Sequence, residues 1–162
     1  TRERDPVSCT FAPSSLMRAA KREKPEAAEK IALVDGSNVA HSTEGPKPRL
    51  ANIRILCETL VEEGYTPVIV VDAALRHQID DRDGYEEMVE AGMIRQAPPG
   101  TDADWFLLSF ARELGASVVS NDRFRDRAKD FPDALERVIR YMVVADEAVL
   151  EKRAQRRRNG TS

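Results

Sequence analysis

Residues 31–34, IALV, form an apolar run with no polar break, and the run stops abruptly at Asp35-Gly36. A strand with one wet face alternates polar and apolar residues. An unbroken run marks a strand buried on both faces, the situation of parallel sheets covered by helices. Residues 67–71 (PVIVV) give a second such run, and shorter or interrupted β signals follow at 93–96, 117–120 and 138–144. Between these runs lie stretches with helical spacing. In residues 51–63 the apolar set is Ile53, Leu56, Cys57, Leu60 and Val61, ended by Gly64; residues 85–91 form a second helix after a polar segment at 76–84. Beyond the break Pro98-Pro99-Gly100 comes the clearest helix. It opens at Thr101 or Asp102, carries Trp105, Leu107, Leu108, Phe110, Ala111 and Leu114, and stops at Gly115. A short helix is expected near Phe124. Strands alternating with helices predict an α/β fold around a mainly parallel sheet.

At 162 residues, 41% hydrophobic and 33% charged, the chain can bury one sizeable core. Three parts are expected: an N-terminal arm over 1–29, a domain over 30–150, and a basic tail over 151–162. In the arm, Leu16, Met17, Ala19 and Ala20 suit a short helix that Pro25 interrupts, so the arm is expected to pack on the domain or on a partner. No apolar run approaches the ~20 residues that span a bilayer, and the N-terminus has no signal-peptide core, so no membrane partner and a cytoplasmic location are expected. A chain opening on Thr1 reads as an excised fragment. Cys9 and Cys57 are isolated, which supports neither a disulfide framework nor a zinc site. Charge is uneven. Of the net −3, residues 1–30 carry +2 and residues 151–162 carry +4, so the middle carries −9. An acidic centre suits divalent cations, and Arg153, Arg156, Arg157 and Arg158 suit phosphates or simply solvent.

The acids are grouped. Asp35 ends a strand, Asp102 and Asp104 open a helix, and Asp122 with Asp126 follows another strand. In a parallel sheet these positions lie at one edge, the edge where open α/β folds bind ligands. A single Asp at such a place is most often a turn or cap residue, and Asp102, Asp72 and Asp146 are open to that reading. Several carboxylates in one pocket repel one another and favour a hard cation, with Mg²⁺ or Mn²⁺ preferred over Zn²⁺ where no His/Cys set accompanies them. Ser37 and Asn38 supply further polar contacts beside Asp35. Arg123, Arg125 and Arg127 are candidates for phosphate contacts, although turn geometry cannot aim all three at one site. Asn121 reads equally well as a loop tie. His41 and His77 rank below the carboxylates, and Trp105 and Phe124 read as core residues more than as base-stacking ones.

Three blocks, VDGSNVA at 34–40, TDADWFLLSFA at 101–111 and VVSNDRFRD at 118–126, resemble in order the motifs of PIN-like ribonucleases, nearest the NYN, Regnase-like branch. The resemblance implies a three-layer α/β/α sandwich and metal-dependent endonucleolytic cleavage of single-stranded RNA. It places Asp35, Asp104 and Asp122 at the catalytic and metal positions. Asn38 stands beside the first and Asp126 as an outer acid; Ser37 and Asp102 support. Regnase-like enzymes carry adjacent acids at the second block, whereas here Ala103 separates Asp102 from Asp104, so only Asp104 aligns cleanly. No zinc finger is present. Target choice then falls to the arms, which could also mediate a homodimer or hold a protein partner.

Other classes fit less well. A haloacid dehalogenase phosphatase wants a second acid where Ser37 stands, a receiver domain wants a lysine that is not evident, and neither GxGxxG nor GxxxxGK[ST] occurs. The serious alternative is an RNA-binding or assembly module that keeps the acidic pocket without cutting.

Overall fold

The computed structural model describes residues 30–151. The arm at 1–29 and the tail beyond Glu151 lie outside them. Five strands, β1 (Lys30–Asp35), β2 (Tyr65–Val71), β3 (Ile94–Gln96), β4 (Ser117–Val119) and β5 (Val138–Ile139), form one sheet in the order β3-β2-β1-β4-β5, and every neighbouring pair is parallel. Ala32, Leu33 and Val34 of β1 are all fully buried. Their side chains nonetheless alternate between two cores, as the pleat requires. Ala32 and Val34 pack with Ile53, Leu56, Leu60 and Met88 from α2 (Leu50–Glu62) and α4 (Arg82–Glu90). Leu33 packs with Leu107, Leu108, Ala111 and Phe131 from the side of α5 (Ala103–Leu114) and α6 (Pro132–Leu135). The result is a three-layer α/β/α sandwich.

The remaining helices are short: α1 (Gly36–Ala40), α3 (Leu75–Gln78) and a 3₁₀ turn at Arg125–Arg127. The sequence pattern misses α1, α3 and α6 because four or five residues are too few for a 3.6-residue period to register. The polar segment 76–84 has a structural job. Asp80 Oδ1 accepts the Leu50 N–H at 3.0 Å, and Asp81 Oδ1 accepts the Gly84 N–H at 2.9 Å at the start of α4.

Residues 138–144 divide at Arg140. Val138 and Ile139 join the parallel sheet, whereas β6 (Tyr141–Val144) leaves it and pairs antiparallel with β7 (Glu147–Leu150). Between them Ala145 and Asp146 both adopt left-handed backbone, φ 50° and 61°. A turn of this type is announced by Asn-Gly or Asp-Gly, and Ala-Asp gives no such signal. The hairpin lies against α2, where the Thr59 hydroxyl donates to the Ala148 carbonyl at 3.4 Å.

One strand order matters for function. The chain leaves β1 toward β2 on one side and reaches β4 on the other, so the connections diverge at the carboxyl ends of β1 and β4 and open a crevice there. Gly36 lets α1 start inside that crevice. A Cβ at this position would lie 2.6 Å from Val71 Cγ1 and 2.8 Å from Ile69 Cγ2, so no larger residue fits without displacing β2.

Candidate active site

Three adjacent strands end in acids at the crevice: β1 in Asp35, β2 in Asp72 and β4 in the loop Ser120-Asn121-Asp122. Asp35 is held on both oxygens, Oδ1 by the Asn38 N–H at 3.2 Å and Oδ2 by the Ser120 hydroxyl at 2.9 Å. Ser120 is fully buried and its oxygen also accepts the Asp122 N–H at 3.1 Å, so one hydroxyl ties the two strand ends together. Asp122 Oδ1 accepts the Phe124 N–H at 2.8 Å, bending the loop through a left-handed Phe124 (φ 48°) whose ring is buried. Asp104 comes from the first turn of α5. With Asp35, Asp72 and Ser37 it lines a small cavity of about 50 Å³.

Electrostatics tie these acids into one group. Burial first, and then the Asp35 and Asp122 charges in the same direction, together push the Asp104 carboxyl up to about 6. Burial also raises Asp35. The Ser120 and Asn38 hydrogen bonds oppose that rise, and the Asp122 and Asp72 charges add to it. Asp72, which sequence reasoning left as a cap, is thus part of the acidic group; its Oδ1 also accepts the Leu75 N–H at 2.9 Å. Its signal was available, since it ends an apolar run as Asp35 does. Asp126 is exposed in the 3₁₀ turn and is not among the charges acting on Asp35 or Asp104.

Asp102 does different work. Its Oδ1 accepts the N–H groups of Asp104 and Trp105 at 2.9 and 3.2 Å, and its Oδ2 pairs with Arg127. Arg127 also lies over the Trp105 ring, 5.6 Å from its centre, while Trp105 meets Phe131 edge-on at 4.8 Å and stays 42% exposed. Trp105 is therefore a surface bracket for the start of α5, not the core residue its apolar neighbours suggested. Arg123 and Arg125 are exposed and have no ion-pair partner among the described residues.

Asn38 is fixed by a network invisible in sequence. Its Oδ1 accepts the Tyr141 hydroxyl at 2.7 Å and the Asn121 N–H at 3.1 Å, which leaves its amide N–H groups as what it can offer a ligand. Asn121 in turn exchanges two hydrogen bonds with the Tyr141 backbone, at 2.9 and 3.1 Å, and is a loop tie. Ser37 Oγ accepts the Asp72 N–H at 3.1 Å, and exposed His41 contacts the Ser37 carbonyl at 2.7 Å. Arg140 was also missed. Its guanidinium donates to the Ser120 and Asp122 carbonyls, and its own carbonyl accepts the Glu151 N–H at 2.8 Å. The hairpin therefore brings the chain back beside Asp122 just where the basic tail begins.

Among the described residues no three His, Cys, Asp or Glu side chains enclose a ready metal cage. The acids share a field without converging on a point. An all-oxygen, uncompensated donor set of this kind fits a hydrated hard cation, which keeps several waters and takes one or two carboxylates directly.

The profile of the Zc3h12a-like Ribonuclease NYN domain matches residues 28–162. The chain belongs to that family. Its fold is likewise similar to two structures from Arabidopsis thaliana. One is the nuclear protein-only RNase P 2 (PRORP2), with a TM-score of 0.63 and 22% identity over 90% of this chain and 34% of that one. A crystal structure of nuclear proteinaceous RNase P 2 (PRORP2) gives 0.62 and 22% over 92% and 37%. This NYN domain thus spans about a third of the plant chains. No curated protein matches it by sequence. Among the described residues no helix is long and apolar enough to cross a membrane.

Proposed function

We propose that this NYN domain is a divalent-metal-dependent endoribonuclease acting on single-stranded RNA. The observation that carries the reading is the acidic group at the strand-order switch, in which burial and two neighbouring carboxylates hold Asp104 at about 6. Charge left uncompensated at a crevice is costly for folding and useful for a site that recruits cations and phosphates. Asp35, Asp104 and Asp122 would hold the cation, partly through water, with Asp72 adding to the field. When bound, Mg²⁺ or Mn²⁺ supplies Lewis acidity that activates water and offsets charge on the phosphate.

The chain's own groups position the substrate. The amide N–H groups of Asn38 donate to a phosphate oxygen or a water, because Tyr141 and Asn121 already occupy its oxygen. The Ser37 hydroxyl proton is free to do the same while its oxygen accepts from Asp72. Arg123 and Arg125 can contact the RNA backbone, and Arg153, Arg156, Arg157 and Arg158 follow in sequence on Glu151, whose N–H is bonded to the Arg140 carbonyl. Arg127 is spent on Asp102. No side-chain nucleophile is required: a water oxygen bonds to phosphorus in line as the bond to one ribose oxygen breaks, and that oxygen leaves and takes up a proton.

The test is cleavage of a labelled single-stranded RNA and the same DNA sequence with Mg²⁺, Mn²⁺ or EDTA, by wild type, Asp35→Asn and Asp122→Asn. Metal-dependent RNA cuts that disappear in both folded variants are the expected result. A folded wild type that cuts neither strand under any condition would replace the enzyme reading with an RNA-binding one.

A further inference from the structure

A second cavity lies away from the acids. On the face carrying α2 and α4, toward the amino-terminal ends of the strands, the two helices leave a groove of about 660 Å³. Buried Cys57 and Met88 and half-buried Pro67 and Met93 form its apolar lining, and Val61 beside them is 46% exposed. Its charged margin is one-sided: exposed Glu58, Glu62 and Glu87 against Arg54.

We propose that this groove is covered by the chain's own arm, through residues 16–22. Three observations meet here. The first is place. β1 begins at Lys30, in register with Tyr65, while Ala32 is in register with groove-lining Pro67, so the arm enters the sheet at the groove's end. The second is reach. Residues 23–29, extended at ~3.3 Å each, span roughly 23 Å, about twice the diameter of the helical layer they must climb. The third is chemistry. Residues 16–22 read Leu-Met-Arg-Ala-Ala-Lys-Arg, and at helical spacing Leu16, Ala19 and Ala20 share one side while Arg18, Lys21 and Arg22 supply the charge that the three glutamates lack. An amphipathic segment laid in an apolar groove with an oppositely charged margin is a common recognition mode.

The experiment uses the full chain with ¹³C-labelled methionine methyls, since Met88 and Met93 line the groove and Met17 lies in the arm. Leu16→Asp, the pair Arg18→Glu/Arg22→Glu, and the pair Glu58→Lys/Glu62→Lys are compared by methyl spectra and by light scattering. The expected result has four parts. All three changes move the Met88 and Met93 signals, the two charge pairs combined restore them, the mass stays that of one chain, and RNA cleavage by Leu16→Asp matches wild type. Unmoved Met88 and Met93 signals in the arm variants would overturn the proposal. So would signals whose restoration tracks a doubled mass, which would assign the groove to a second copy. Because the groove lies away from Asp35 and Asp72, neither result bears on the nuclease reading.

Discussion

Asp102 and Asp104 stand two residues apart at the start of one helix, and the fold uses them in opposite ways. Asp102 has both oxygens engaged, by two backbone N–H groups and by Arg127, so its charge is satisfied within the protein. Asp104 has no such partner among the described residues; it faces Asp35 and Asp122, and its carboxyl is held at about 6. A satisfied carboxylate builds structure. One that burial and like charges leave frustrated is where a cation gains the most. The same contrast separates Arg127, paired and stacked, from Arg125, exposed in the same turn.

The largest effect that can break this comparison is on turnover. Asp104→Asn should lower RNA cleavage by about 10²- to 10³-fold, the scale of the several kcal/mol a bound cation supplies, with little loss of stability. Asp102→Ala should do the reverse, costing about 1 kcal/mol for a lost helix cap in urea unfolding and leaving cleavage near wild type. If Asp102→Ala stays folded and loses cleavage while Asp104→Asn retains it, the roles assigned here are exchanged.

The next effect is on pH dependence. The Asp104 pKa is raised from 3.8 to about 6 by folding, so the folded state favours the protonated form. Its contribution to stability is therefore fully present below pH 3.8 and is lost as pH rises through about 6. Without metal, wild type should lose stability relative to Asp104→Asn across that interval. Mg²⁺ should raise the melting temperature more at pH 7.5 than at pH 5, and the Asn variant should flatten the difference. An equal Mg²⁺ response at both pH values would remove Asp104 from the cation site.

A smaller effect sharpens the division between groups that hold the cation and groups that orient substrate. Tyr141→Phe removes one of the two donors that fix the Asn38 oxygen and lets the amide turn. The loss of one hydrogen bond is worth about 1 kcal/mol, so turnover should fall about fivefold. The Mg²⁺ concentration for half-maximal rate should not change, because Asn38 acts as a donor. A raised metal requirement in this variant would make Asn38 a ligand.

The same contrast explains what the sequence could and could not disclose. The five parallel strands and the three long helices were legible because a buried strand or an amphipathic helix repeats its signal over several residues. Asp35, Asp104 and Asp122 were legible because each ends or opens such an element. What escaped depends on single contacts between distant residues. Ser120 looks like the last residue of a strand until its hydroxyl is seen bridging Asp35 and Asp122. Tyr141 and Arg140 looked like the middle of one β run, and only the departure of β6 from the sheet gives them a place at the crevice. Asp126, grouped by sequence with Asp122, is turned out to the surface one helical turn later, and Asp72 supplies the extra charge instead.

The smallest effect lies with the arginines, and it carries the opening contrast from acids to bases. Arg125 and Arg127 share a single 3₁₀ turn, yet Arg127 neutralises Asp102 and covers Trp105, while Arg125 is exposed with no ion-pair partner among the described residues. A cation already paired within the protein releases few counterions when RNA arrives; an unpaired one that meets a phosphate releases about one. Arg125→Ala should therefore weaken RNA binding modestly and reduce the slope of log affinity against log salt by about 0.7, the single-strand value per phosphate contact. Arg127→Ala should leave that slope in place and lower stability, because Asp102 loses its partner at the head of α5. Measured by RNA titration at several salt concentrations, an equal loss of slope in both variants would mean that RNA draws Arg127 away from Asp102 on binding, and the helix cap would then belong to the binding surface after all.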